Sequence, residues 1–453
     1  MTARQKINRL HRVWLLLLVG LSPFIAQPLI VSPAAAIDIE EVISPSGIRA
    51  WLVRDETAPV ISVEFAFQGG GALDPVGREG AARMMAALLD EGAGPYGSQE
   101  FHAEIEAIAA RLSFNASADQ ISGSLRTLRD KRQRAFDLLR LSLSEPRFAE
   151  PDLERIRGQM LSNLRSASAS PNWIAGRALA ESLFAGHPYA RPTEGTLESV
   201  AALGVGDVKA ARERAFRRGG LTVAVVGDIT REELAGLLET GFGALPAAAP
   251  PARVPDWAGA PPGRTIVVER AIPQSVVVLG RDGLKRDDPE WFSAFVMNYI
   301  LGGGGFNSRL TEEIREKRGL AYGVGTSLQP YDAGGLYYGS VATANDRVAE
   351  SIALIRSEMK RMAEQGVTDE ELANAKTYLT GSFALNFASG GAIAGLLLQV
   401  QLDDLGIDYL DRRNGLIESV TKADVQKAAN RLLDPDAFTF VVVGQPVGVK
   451  PTE

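Results

Sequence analysis

Few residues in this 453-residue chain have the side chains that catalysis or metal binding requires. There is no cysteine, so a thiolate nucleophile, a disulfide and a cysteine-ligated metal are all excluded. Three histidines are present, and His102 and His187 lie 85 residues apart. Apart from His11, which sits in the leader described below, no histidine pair can occupy one helical turn. The serine-rich run Ser162 to Ser170 has no neighbouring base to activate a hydroxyl. Gly302, Gly303, Gly304 and Gly305 precede a helical pattern and could cradle a phosphate. They lack the Gly-Lys-Ser/Thr of a nucleotide loop, so a flexible loop is the reading. His187, in a Gly-His-Pro-Tyr turn, reads as structural. His102, on an amphipathic helix expected over Ser98 to Leu112, reads as a surface residue.

The elements that would position any site fall into two halves. Leu245 to Gly263 carries six prolines and two glycines and reads as a semi-rigid extended linker. It divides residues 37–244 from residues 264–453. Each half opens with β-rich segments: Ile48 to Val53 and Val60 to Phe67, then Thr265 to Val268 and Ser275 to Leu279. An apolar helix follows, over Gly80 to Leu89 and Trp291 to Leu301. Acidic helix starts recur at Glu150 to Glu154 and Thr368 to Leu372. Each half closes with a Ser-Val plus Asp-Val helix and an unbroken apolar strand, Leu221 to Gly227 and Phe438 to Gly444. Runs of that kind belong to strands covered on one or both faces. The expected fold is α+β: two homologous domains, each a mainly antiparallel sheet packed with helices, related by duplication.

Arg4, Lys6, Arg9 and Arg12 form a basic head before the apolar stretch Val13 to Ala26, and Ala34-Ala35-Ala36 precedes Ile37. Residues 1–36 thus read as a signal peptide, with an uncleaved anchor as the alternative. Cleavage removes four cations and no anion, taking the formal charge from −7 to −11. So acidic a chain is a poor ligand for nucleic acid. No other stretch is long and apolar enough to span a bilayer, so no span is expected after cleavage.

Over about residues 40 to 447 the chain resembles the M16 peptidases, the pitrilysin, insulinase and mitochondrial processing peptidase family. The resemblance rests on Gly77 to Gly92, Gly186 to Thr196, Leu301 to Leu310 and, most specifically, Glu313-Ile314-Arg315-Glu316-Lys317-Arg318-Gly319-Leu320-Ala321-Tyr322. Catalytic members bind Zn²⁺ with His-x-x-Glu-His on a helix plus a distal Glu. The two His share a helix face, and the Glu between them is the general base. Aligned on Gly80 and Gly92, those positions here are Arg83, Ala86 and Ala87, with the distal Glu near Asn163. The resemblance therefore implies no metal in this chain, and Zn²⁺ in a partner homologue with an intact motif.

It also implies that Arg315 and Tyr322 are the pair that the family brings from the opposite domain to the scissile peptide. There a guanidinium and a phenol can stabilise a developing oxyanion. Asn307 or Ser308 is expected to cap a helix with Phe306, Leu310 and Ile314 as its inward stripe, and Gly319 to release the chain towards Tyr322. The glycines at 302–305 resemble a substrate-contacting loop of the non-catalytic processing subunit. The function implied is a non-catalytic subunit of an exported zinc peptidase acting on extended peptides. The alternative is an inactive scaffold, like the family-related core subunits of respiratory complexes.

Overall fold

The computed structural model describes residues 37–452, so the expected signal peptide lies outside the described residues. In chain order the first half contains strands β1 (Glu40–Ile43), β2 (Arg49–Arg54) and β3 (Val60–Gln68), then helices α1 (Ala81–Leu88) and α2 (Ser98–Ala107). Strands β4 (Arg111–Ala116) and β5 (Gln120–Leu128) precede helices α3 (Arg132–Ser144), α4 (Glu150–Ser168), α5 (Pro171–Leu183), α6 (Leu197–Ala202) and α7 (Val205–Ala215). The half closes with β6 (Leu221–Gly227) and α8 (Arg231–Phe242). The second half has β7 (Thr265–Glu269), β8 (Gln274–Asp282), α9 (Trp291–Asn298), β9 (Ala321–Tyr331) and β10 (Gly334–Ala344). It continues through α10 (Val348–Gln365), α11 (Asp369–Gly381), α12 (Gly390–Leu402), α13 (Tyr409–Glu418), α14 (Lys422–Leu432) and β11 (Thr439–Gly444).

The two sheets have the orders β1-β2-β6-β3-β5-β4 and β7-β11-β8-β10-β9. Without β1, they match strand for strand. In each, one pair is parallel, β2 with β6 and β7 with β11, and the other neighbours are antiparallel. This is the α+β duplication that the order of elements predicts.

Strand alternation assigns the faces. On β3 the residues Ile61, Val63, Phe65 and Phe67 point into a core with Met84 and Met85 of α1, Phe136 of α3 and Phe242 of α8. Ala66 of β3, with Ala224 and Val226 of β6, points to the other face and meets Ala394, Leu397 and Leu398 of α12. The second sheet mirrors this arrangement. Val277 and Leu279 face one core, while Val276, Val278, Val441 and Val443 face Ala175, Leu179 and Leu183 of α5. Each half thus lends one helix to the other's sheet. That exchange is why the closing strands are apolar on both faces. It also explains the strongly apolar α12, which lies against β3 and β6. Among the described residues no single helix is long and apolar enough to cross a membrane, and the bent pair formed by Asp369–Phe387 and Gly390–Leu402 turns through 118°.

Two boundaries differ from expectation. The helix predicted over Ser98 to Leu112 stops at Ala107, Ala109 turns left-handed at φ 51°, and Arg111 begins β4. Only Phe101 of α2 is fully buried, so the helical period is weak there. The proline-rich linker has no regular structure from residue 246 to 263 but is pinned to both halves. Trp257 donates its backbone N–H to Ala333 at 2.7 Å and packs its ring 4.4 Å from Phe184, while His187 Nε2 bonds the Pro255 carbonyl at 2.7 Å.

Candidate functional site

The start of α1 is held firmly. Gly80 takes φ 93° at the N-cap. The buried Asp74 carboxylate accepts from the N–H groups of Gly80 and Ala82 at 3.2 Å and from Arg214 Nη2 at 2.7 Å. Burial pushes Asp74 up to about 6, against the lowering effect of the Ala82 N–H and of Arg214. Along this helix Ala81, Ala82, Met84, Met85, Ala86 and Leu88 are buried, Arg83 is exposed and Ala87 half-buried. Arg83 and Ala87, one turn apart, therefore share the helix face that is not in the core. Asn163 is exposed on α4, which packs against α1.

At the positions where the resemblance implies metal ligands, the chain thus carries a guanidinium, a methyl group and a carboxamide. These do not fit Zn²⁺, which takes thiolate, imidazole or carboxylate. Ala86 has joined the core. Among the described residues no three His, Cys, Asp or Glu side chains come together as a metal cluster. His102 is exposed. His187 Nδ1 accepts from the Tyr189 N–H at 3.2 Å, a structural role.

The second region is built around Arg315. After α9 the chain widens into i→i+5 hydrogen bonding over Tyr299–Gly303, and again over Thr311–Glu316, where Lys317 N–H donates to Glu312 O at 2.9 Å. Such wide turns are rare and collect at functional sites. Gly302 and Gly303, in the first of these turns, and Gly304, just after it, are packed rather than free. A Cβ at Gly302 would lie 2.5 Å from Thr326 Oγ1, one at Gly303 would lie 2.6 Å from Asn298 Nδ2, and one at Gly304 would lie 2.7 Å from Tyr299 O. The flexible loop expected from four successive glycines is therefore a tight turn, with Gly305 alone left-handed, at φ 56°.

Ser308 is buried, donating its hydroxyl to Gly305 O at 2.8 Å and meeting Thr311 Oγ1 at 3.0 Å. Leu310 and Ile314 are fully buried, as predicted, but Phe306 is 69% exposed. It lies in the short turn before the helix, where the helical spacing that aligns the other two does not apply.

Charged pairs fix the ends of this segment. Arg309 grips Glu371 with Nε and Nη2 at 2.6 and 2.7 Å. Glu371 in turn caps the start of α11 through the Thr368 N–H at 2.8 Å. Lys317 and Arg318 both reach Glu313 at 2.6 Å and hold its carboxyl below the usual range. Gly319 then takes φ 60°, its N–H bonding Arg315 O at 2.9 Å, and the chain enters β9, an edge strand. Tyr322 on that strand is 87% exposed.

Arg315 and Tyr322 are brought together. The Arg315 guanidinium carbon lies 4.7 Å from the centre of the Tyr322 ring and 4.4 Å from that of Phe306. Its Nε is 3.3 Å from the Glu316 carboxylate, and the side chain is 28% exposed. Aromatic rings thus flank the planar cation, and its terminal N–H groups donate no hydrogen bond among the described residues. A guanidinium so placed can donate to a carbonyl or carboxylate. Sequence reasoning paired Arg315 with Tyr322, which lie side by side, but put Phe306 in the core. The signal for its true place was its position in the glycine turn, ahead of the helical period. The cap expected of Asn307 or Ser308 is not formed, since neither side chain accepts a backbone N–H among the described residues.

Residues 49–197 match the family description "Insulinase (Peptidase family M16)" and residues 202–379 match "Peptidase M16 inactive domain". The chain is 29% identical over 325 residues to the non-peptidase homologue YmxG of Helicobacter pylori, covering 72% of this chain and 75% of that one. It is 27% identical over 400 residues to an uncharacterised zinc protease of Streptomyces coelicolor, covering 86% of each. The crystal structure of a peptidase M16 inactive domain from Pseudomonas fluorescens superposes with a TM-score of 0.86 at 28% identity, over 91% of this chain and 100% of the other. With its duplicated fold and these matches, the chain belongs to the M16 peptidase family as a member of the inactive type.

Proposed function

We propose that this chain is the non-catalytic, peptide-contacting subunit of an exported zinc peptidase. An M16 partner with an intact His-x-x-Glu-His helix supplies the metal, the base and the water. This chain supplies Arg315, Tyr322 and part of the wall of the chamber in which an extended peptide lies. Attack on a peptide carbonyl builds negative charge on its oxygen, and donors already aimed at that oxygen lower the barrier. The observation that carries the reading is the presentation of Arg315. A scaffold has no use for a guanidinium flanked by two rings, with its terminal N–H groups unspent, beside an exposed phenol. The turn at Gly302 to Gly305, next to Phe306, would meet the same peptide.

The test is reconstitution. The mature chain alone should contain no stoichiometric zinc and cleave no peptide. Mixed with the zinc-bearing M16 chain of the same organism, it should raise peptide turnover well above that chain's own. Chelator-sensitive cleavage by the isolated chain would overturn the proposal. A stable complex with no gain in turnover would establish the scaffold instead. Export is tested by mass spectrometry of the periplasmic fraction, which should show a chain beginning at Ile37; an intact Met1 in the membrane pellet would favour an anchor.

A further inference from the structure

Phe306 has no structural reason to be where it is. It is a large apolar side chain left mostly in water, yet the backbone under it is fixed. The Asn307 N–H donates to Gly304 O at 3.2 Å, and Ser308 Oγ donates to Gly305 O at 2.8 Å. The turn rests on Tyr299, whose carbonyl accepts from the Gly304 N–H at 2.8 Å and whose ring stacks 5.2 Å from that of Tyr378. A rigid turn thus holds an exposed ring 4.4 Å from the Arg315 guanidinium, and Tyr322 flanks the same group at 4.7 Å. An arginine held only by one exposed carboxylate, here Glu316, would sample many rotamers. Rings on the planar group restrict it while leaving its terminal N–H donors available.

We propose that Phe306 is a positioning residue for Arg315. It fixes the guanidinium plane against Tyr322 so that the donors point at the bound peptide. The purpose of the clamp rests on the function proposed above, but its existence can be read in the isolated chain.

The experiment is NMR of the mature chain labelled with ¹⁵N-arginine, the Arg315 Nε–H signal being identified by its loss in Arg315→Lys. In the wild type that group should be as ordered as rigid backbone, with an order parameter of about 0.85, and in Phe306→Leu it should fall below about 0.6. Phe306→Trp should restore it. Because Phe306 is exposed, none of these variants threatens the fold.

Turnover of a quenched-fluorescent peptide by the reconstituted pair should follow the same order. Phe306→Leu should lower kcat by up to about 10²-fold, the usual cost of a misplaced group, with Phe306→Trp close to wild type. An Arg315 that is mobile in the wild type, or equally rigid in Phe306→Leu, overturns the clamp whatever the activity data show. A fall in turnover with Arg315 still rigid also overturns it, because Phe306 would then be touching the peptide or partner directly. If the clamp is seen but Arg315→Ala leaves turnover intact, the clamp stands and the functional reading fails.

Discussion

Leu397→Ala should loosen the opposite half of the molecule from the one that carries the residue. Leu397 is fully buried, packed with Val53, Ala66, Ala224 and Val226 of the first sheet. Truncation to alanine removes three buried carbons and leaves a cavity, at a cost of about 2–5 kcal/mol. The structure points to the upper part of that range. β6 is hydrogen-bonded on both sides, to β2 and β3, so it cannot move in to fill the space. The facing Ala66 and Ala224 are too small to reach it. A loss of about 4 kcal/mol is a large fraction of the usual 5–15 kcal/mol of total stability. The assay is urea denaturation together with amide hydrogen exchange. Exchange should speed up in β3 and β6 of the first half and leave β11 nearly unchanged. The mirror variant Leu179→Ala should speed β8 and β11. Exchange confined to α12 and its own half, or a stability change below about 1 kcal/mol, would refute the exchanged-helix account.

Two further outcomes follow from the geometry. Burial raises the Glu64 carboxyl from its ordinary 4.5 to about 7, so the folded chain holds this proton more tightly than the unfolded one. The resulting destabilisation is absent below pH 4.5 and complete above pH 7, so Glu64→Gln should raise the melting temperature at pH 8 and leave it unchanged near pH 4.5. Placing ligands at the implied positions with Arg83→His, Ala87→His and Asn163→Glu should give about one zinc per chain by elemental analysis. Failure to bind would mean that α4 does not present residue 163 to the face of α1 that carries residues 83 and 87.

The sequence made much of this architecture legible, because strand alternation and the recurrence of elements are local signals. Val60 to Phe67, Leu221 to Gly227 and the two apolar helices fall where their patterns place them. What covers an unbroken apolar strand is a non-local question. The runs in β6 and β11 implied cover on one or both faces but could not reveal that α12 and α5 provide it from the opposite halves. Arg83, Ala86, Ala87 and Asn163 are assigned to the family's ligand and base positions from the resemblance, because metal binding demands particular side chains at fixed spacing. The tetraglycine misled, since glycine is selected both by free loops and by close packing, and here Thr326, Asn298 and Tyr299 require it. Phe306 misled for a related reason. Helical spacing marks the core only where the helix itself extends, and this residue precedes it. The anchoring of Arg309 on Glu371 joins residues 62 positions apart and left no local trace.

The most direct measurement is kcat of the reconstituted pair carrying Arg315→Ala or Tyr322→Phe. Tyr322 is almost wholly exposed and among the described residues Arg315 forms an ion pair only with the exposed Glu316, so assembly and melting temperature should stay near wild type. Loss of either transition-state donor should lower kcat by about 10²–10³-fold. Near-wild-type turnover by both variants, while they still co-elute with the partner, would contradict the account and leave this chain a scaffold.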